Sequence, residues 1–142
     1  SLGAVTLFTV MSHTDTGTDI PWFMSYAADN YFGHFKNSAT DQYWYSAGSV
    51  STSSQSQAQK LFSYKGASGS QVLYVDGSAG TNSGTSGDAN AFTDSANNGI
   101  GGLGAGVLPY AGEFQEFIIY DSDQESNRAN IESDITTEFG IS

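Results

Sequence analysis

The chain contains no cysteine. That excludes a disulfide-stapled scaffold, thiol chemistry and any Cys-based metal site. It leaves the redox compartment open. Cations are scarce too: Lys36, Lys60, Lys65 and Arg128 stand against 15 acidic residues, for a net charge of −11. A surface this negative repels phosphate backbones and anionic lipids, so nucleic acid is excluded as a partner. No apolar run approaches the ~20 residues that span a bilayer, so membrane insertion is not expected. No secretory signal is visible. Charged residues of both signs make up only 13% of the chain, about half the usual share. Polarity comes instead from Ser, Thr, Asn, Gln and Gly. A G-x-S-x-G elbow, a P-loop, a dinucleotide fingerprint and an EF-hand loop are all missing. His13 and His34 have no metal-ligand spacing and read as surface or hairpin histidines.

What the chain does have is aromatic residues, at 13%, within a hydrophobic share of 38%. Over 142 residues that is enough for one domain with a real core, built on Phe and Tyr more than on aliphatics. The chain opens directly on a strand, SLGAVTLFTVM, as a fragment or processed piece would.

Short strands follow one another through the first half. Ala4–Met11, Trp22–Tyr26, Tyr31–Lys36, Gln42–Tyr45, Gln59–Tyr64 and Gln71–Val75 are each bounded by Gly, Asn, Asp or Ser. Turn signals recur roughly every ten residues, the pattern of a sandwich or barrel. Asp29-Asn30 and Asp76-Gly77 read as tight turns. Residues 77–106 are rich in Gly, Ser, Asn and Thr and read as long loops inside one domain, with a short strand at Gly99–Leu103. Glu113–Tyr120 is the clearest strand of all, its Ile118-Ile119-Tyr120 end suited to burial on both faces. The one good helix comes last. Ser122 and Glu125 spell a capping box, and Asp123 suits the positive end of a helix. Ile131, Ile135 and Phe139 repeat at i, i+4, i+8, and Gly140 is the expected cap. The pattern predicts a helix over about 123–139.

Three segments in order carry a resemblance: Val72-Leu73-Tyr74-Val75-Asp76-Gly77, Gly99-Ile100-Gly101-Gly102, and Tyr110 to Tyr120 (YAGEFQEFIIY). They resemble the LYVDG, IGG and F-x-G-x-I-x-E-V-x-I-Y strands of the concanavalin A-like lectin/glucanase superfamily, above all its laminin-G-like bacterial and phage members. The tail DSDQESNRANIESDI is similar to their closing helix. Gly77 and Gly112 stand where tight turns call for positive φ. The resemblance implies an all-β fold, an antiparallel two-sheet jelly-roll sandwich with one C-terminal helix, spanning 1–142 as a single domain. Such jelly rolls carry more strands ahead of the one at residues 4–11. This chain either lacks them or has them supplied by a neighbouring chain or segment.

Glycosidases of that superfamily set two carboxylates on one strand face, because hydrolysis needs an acid and a nucleophile across the scissile bond. Their E-x-D-x-E strand is missing. Glu113 and Glu116 are three apart, so regular alternation sends them to opposite faces. Asp121, Asp123 and Glu125 have the spacing, but they lie at the strand–helix junction, where capping explains them better. For calcium, Asp15, Asp19, Asp29, Asp76, Asp88, Asp94, Asp121 and Asp123 fall mostly in loops; Asp88, Asn90 and Asp94 form the best local ligand set, against the simpler reading of solvated acidic loops. For glycans, Trp22, Tyr43, Trp44 and Tyr45 are candidate aromatic platforms, with core packing as their competing role.

These features favour a non-catalytic structural or adhesive module on a particle or cell surface, with a phage capsid-decoration, fibre or tail component as its particular form. The alternative is a carbohydrate-binding module of a secreted bacterial protein. The expected partners are copies of itself, other chains of an assembly, and surface glycans. No cofactor is required, calcium being the candidate. The expected location is the virion, the extracellular space or the cell surface.

Overall fold

A computed structural model of the chain describes residues 4–14, 20–27, 30–37, 42–45, 50–52, 55–67, 70–80, 99–100 and 110–142, with residues 20–27, 30–37, 42–45, 51, 67 and 99 described by their backbone. The elements in chain order are β1 (Ala4–His13), β2 (Ile20–Ala27), β3 (Asn30–Asn37), β4 (Gln42–Tyr45), β5 (Val50–Ser51), β6 (Lys60–Ala67), β7 (Ser70–Val75), β8 (Ser78–Ala79), β9 (Gly99–Ile100), β10 (Gly112–Tyr120) and α1 (Arg128–Phe139). The fold is mostly β with one C-terminal helix.

Five strands form an antiparallel sheet in the order β10-β1-β6-β7-β8. β1 lies inside it and is buried along nearly its whole length. Its side chains alternate between two cores, as a strand covered on both faces must. Val5, Leu7 and Met11 join Phe62, Tyr64, Leu73 and Val75 on one face. Phe8 and Val10 join Leu61 on the other, where Ile135 of α1 is buried and Ile131 and Phe139 pack beside it. The i, i+4, i+8 stripe of the helix is therefore what covers this face. Gly140 caps it in the left-handed region (φ 64°), and Ile141 N–H donates to the Thr136 carbonyl at 3.0 Å.

The helix begins later than the sequence suggests. Asp123 Oδ1 accepts from Glu125 N–H at 2.9 Å, and Asn127 N–H donates to the Gln124 carbonyl. Local turns thus use the groups a capping box would need. Ser122 Oγ is taken by Gln124 Nε2 at 2.8 Å, and the N-cap is Asn127, with no side-chain cap bond. Thr6 of β1 pins the same junction, donating to the Ser122 carbonyl at 2.9 Å and accepting from Gln124 N–H at 3.0 Å.

The remaining strands pair by their backbones in the order β5-β4-β3-β2-β9. β2 and β3 pair Ala27 with Asn30, so Asn30 already belongs to β3. Val50 of β5 is fully buried in the core formed by Val5, Leu7 and Tyr64. β7 and β8 close over Asp76-Gly77, with φ 47° and 78°. Two successive positive φ values define the tight hairpin turn that Asp-Gly favours.

Gly112 departs from the turn reading. Its φ is not positive; it pairs with His13, and a Cβ there would strike the Ser12 carbonyl and come within 2.7 Å of His13 Cα. Glycine is needed for close approach of two backbones, not for a turn. His13 itself is buried at the end of β1, not at the surface.

Candidate functional site

β10 is bulged. Its register to β1 shifts between Val10 and Met11, leaving Gln115 without a partner. Glu116 stands opposite Val10 and Glu113 opposite Ser12, and those two β1 residues share a face. The bulge therefore restores Glu113 and Glu116 to one face, contrary to the alternation expected of a regular strand. Glu116 Oε1 accepts from the N–H of Phe117 at 3.3 Å.

Three of the four cations sit at carboxylates around the first sheet. Arg128 Nη1 donates to Glu132 Oε2 at 2.7 Å, and its guanidinium carbon lies 3.7 Å from the centre of the Tyr74 ring. Glu132 is 6% exposed, so its charge needs that partner. Tyr74 OH donates to Glu125, whose two oxygens are both at 3.3 Å. Lys65 Nζ lies 3.5 Å from Asp123 and 3.8 Å from Glu125. Burial draws the Arg128 guanidinium down, but the hydrogen bond and charge of Glu132 reverse this and leave it above its usual value. Burial, then the Glu125 carboxylate, push the Tyr74 phenol up. This cluster locks α1 onto the sheet.

The other charged site lies at the β7–β8 turn. Lys60 Nζ donates to Asp76 Oδ2 at 2.6 Å, Leu61 N–H donates to Asp76 Oδ1 at 2.9 Å, and Asp76 N–H returns to the Leu61 carbonyl at 2.9 Å. Asp76 is held from three directions. Beside it opens a pocket of about 290 Å³ walled by Gln55, Val75, Asp76, Ser78, Ala79 and Gly80. Gly80 N–H donates to the Leu73 carbonyl and fixes the far end of the turn.

Of the residues singled out from sequence, Asp76 lines this pocket. Asp88, Asn90 and Asp94 fall outside the described residues. Among the described residues no group of His, Cys, Asp and Glu is arranged to hold a metal ion. Trp22 falls at the β2 register shift between Pro21 and Phe23. Tyr43, Trp44 and Tyr45 pair with Lys36, Phe35 and His34 through their backbones. Their side chains lie outside the described part. Nothing in the sequence marked Gln55 or Ser78. The Asp-Gly turn was legible, but not the 16-residue separation over which Lys60 returns to it.

No family model matches this chain, and no curated protein matches it. Solved structures do. Trypanosoma rangeli sialidase in complex with the inhibitor DANA is 17% identical with a TM-score of 0.59, covering 87% of this chain and 21% of that one. The same sialidase in complex with sialic acid is 14% identical with a TM-score of 0.60, over 89% and 22%. Its covalent intermediate with 2,3-difluorosialic acid matches at 16% identity and a TM-score of 0.56, over 87% and 21%. The chain spans about a fifth of the length of these chains, and at such identity the likeness is one of fold. It nonetheless overturns the expectation of a non-catalytic phage or cell-surface module, and its bacterial carbohydrate-binding alternative. The matched structures are those of an enzyme, and none supports the laminin-G-like or phage assignment.

Proposed function

We propose that this chain is a concanavalin A-like β-sandwich within a larger sialidase-like glycosidase, where it engages the glycan on which that protein acts. The observation that carries the reading is the fold likeness over 87% or more of the chain to sialidase structures, including complexes with sialic acid and an inhibitor. Val50 supports the two-layer packing, because it brings the second set of strands into the core under β1 and β6. The neutral sugars of such a glycan also suit a strongly acidic surface that repels nucleic acid and anionic lipid. An extracellular location suits this reading.

A glycan array tests this reading. The purified chain is expected to be retained on a set of sialylated glycans or their underlying neutral sugars above the level of non-glycan controls. A fluorogenic sialoside assayed in parallel reports any turnover by the chain itself. Retention on no glycan contradicts the reading.

A further inference from the structure

We infer that the pocket beside the Asp76-Gly77 turn is a subsite for one neutral, hydroxyl-bearing sugar ring. This rests on the glycan reading above and deepens it. The pocket's volume of about 290 Å³ stands at the small end of ligand sites, the size of a single ring. Its walls supply what a sugar hydroxyl needs. The Asp76 carboxylate accepts and the Ser78 hydroxyl both donates and accepts. Ala79 gives a small apolar surface for the ring's C–H face, and Gly80 keeps the wall low.

Asp76 is preorganised. Its backbone is in the left-handed region at φ 47°, and Lys60 and Leu61 hold one carboxylate oxygen each. Each oxygen has further lone-pair capacity, so it accepts a ligand hydroxyl without giving up its own bonds. Rigid placement lowers the entropy lost on binding. Charge decides the ligand class. An anionic sugar would meet a carboxylate, and the nearby cation, Lys60, is already paired with that carboxylate at 2.6 Å. A neutral ring meets no such repulsion. In a sialylated glycan the subsite thus takes a neutral sugar next to the sialic acid, and not the sialic acid itself.

The test is an amide-resolved NMR titration of the whole chain with lactose, with sialic acid and with glycerol. Lactose is expected to shift the amides of Gln55, Asp76, Ser78, Ala79 and Gly80 saturably, with sialic acid and glycerol acting weakly there. Ala79→Trp, on an exposed two-residue strand, fills the pocket and is expected to weaken lactose binding at least about tenfold. Ser78→Gln serves the same end if the tryptophan variant melts early. Saturable lactose shifts confined to other residues overturn the subsite and leave the glycan reading standing. Equal shifts with glycerol overturn the subsite as well. No saturable binding of any sugar overturns both.

Discussion

Phe114 and Phe117, three residues apart on β10, meet ring to ring with centroids 5.8 Å apart and planes at 47°. A regular strand would send them to opposite faces. The extra residue Gln115 corrects the phase, and both rings pack against the core of Val5, Leu7 and Met11. Deleting Gln115 should throw one ring out of that core. We expect a loss of about 3 kcal/mol, near the lower end for removing a buried Phe. Gln115→Ala keeps the bulge at an exposed position and should stay within about 0.5 kcal/mol of the parent. Urea denaturation midpoints of the two variants check this.

Arg128 and Glu132 should behave as a coupled pair. Arg128→Leu strands a buried carboxylate and should cost about 3 kcal/mol. The double variant Arg128→Leu/Glu132→Leu removes both charges and should recover most of that loss. A double-mutant cycle by chemical denaturation measures the coupling, and strict additivity would count against the clamp.

Gly112 cannot take a side chain without moving β1. A Cβ there would press on the Ser12 carbonyl and His13 Cα. Gly112→Ala should destabilise by about 2–3 kcal/mol through overpacking between two strands. Gly77→Ala also costs stability, but for a different reason. Space is adequate there, with Glu132 Oε2 the nearest atom at 3.7 Å, and the strain comes from φ 78°. Crystal structures of the variants would show displaced strands in the first case and an altered turn in the second.

Alkali should unfold the protein through its tyrosines. Burial, aided by the Glu113 carboxylate, pushes the Tyr110 phenol up, and its hydroxyl donates to the Ser12 carbonyl. Tyr74 is raised as well, from the usual 10.0. Groups with raised folded values bind protons more tightly folded than unfolded. Their contribution is complete below the unfolded value of 10.0 and is lost as pH rises through the higher folded values. Thermal midpoints should therefore fall above about pH 10, and a Tyr74→Phe/Tyr110→Phe variant should fall less steeply.

Much of the fold was legible because short-range signals agree with it. Gln42–Tyr45 is the strand β4 to the residue, and Ile131, Ile135 and Phe139 form the helix stripe that packs on the sheet, with Ile135 buried. Asp76-Gly77 closes the hairpin its dipeptide predicts. What failed depends on distant partners. The helix start moves to Arg128 because Thr6, some 120 residues earlier, holds Ser122 and Gln124. The β10 bulge leaves no compositional mark at Gln115. Two-residue strands such as β5 and β8 are too short for periodicity to register. The pocket at Asp76 is assembled from Gln55, Val75, Asp76, Ser78, Ala79 and Gly80, a juxtaposition that sequence order alone does not reveal.

The central claim, that this chain engages glycans of the kind a sialidase-like protein acts on, is tested most directly by calorimetric titration. The purified chain is titrated with a sialylated oligosaccharide, with the same glycan after removal of its sialic acid, and with a polyol of equal size. Saturable binding of the sialylated glycan, with a Kd of about a millimolar or tighter, and retention of part of that affinity by the trimmed one, is the result the account predicts. Heats for both glycans no larger than those of the polyol would contradict it.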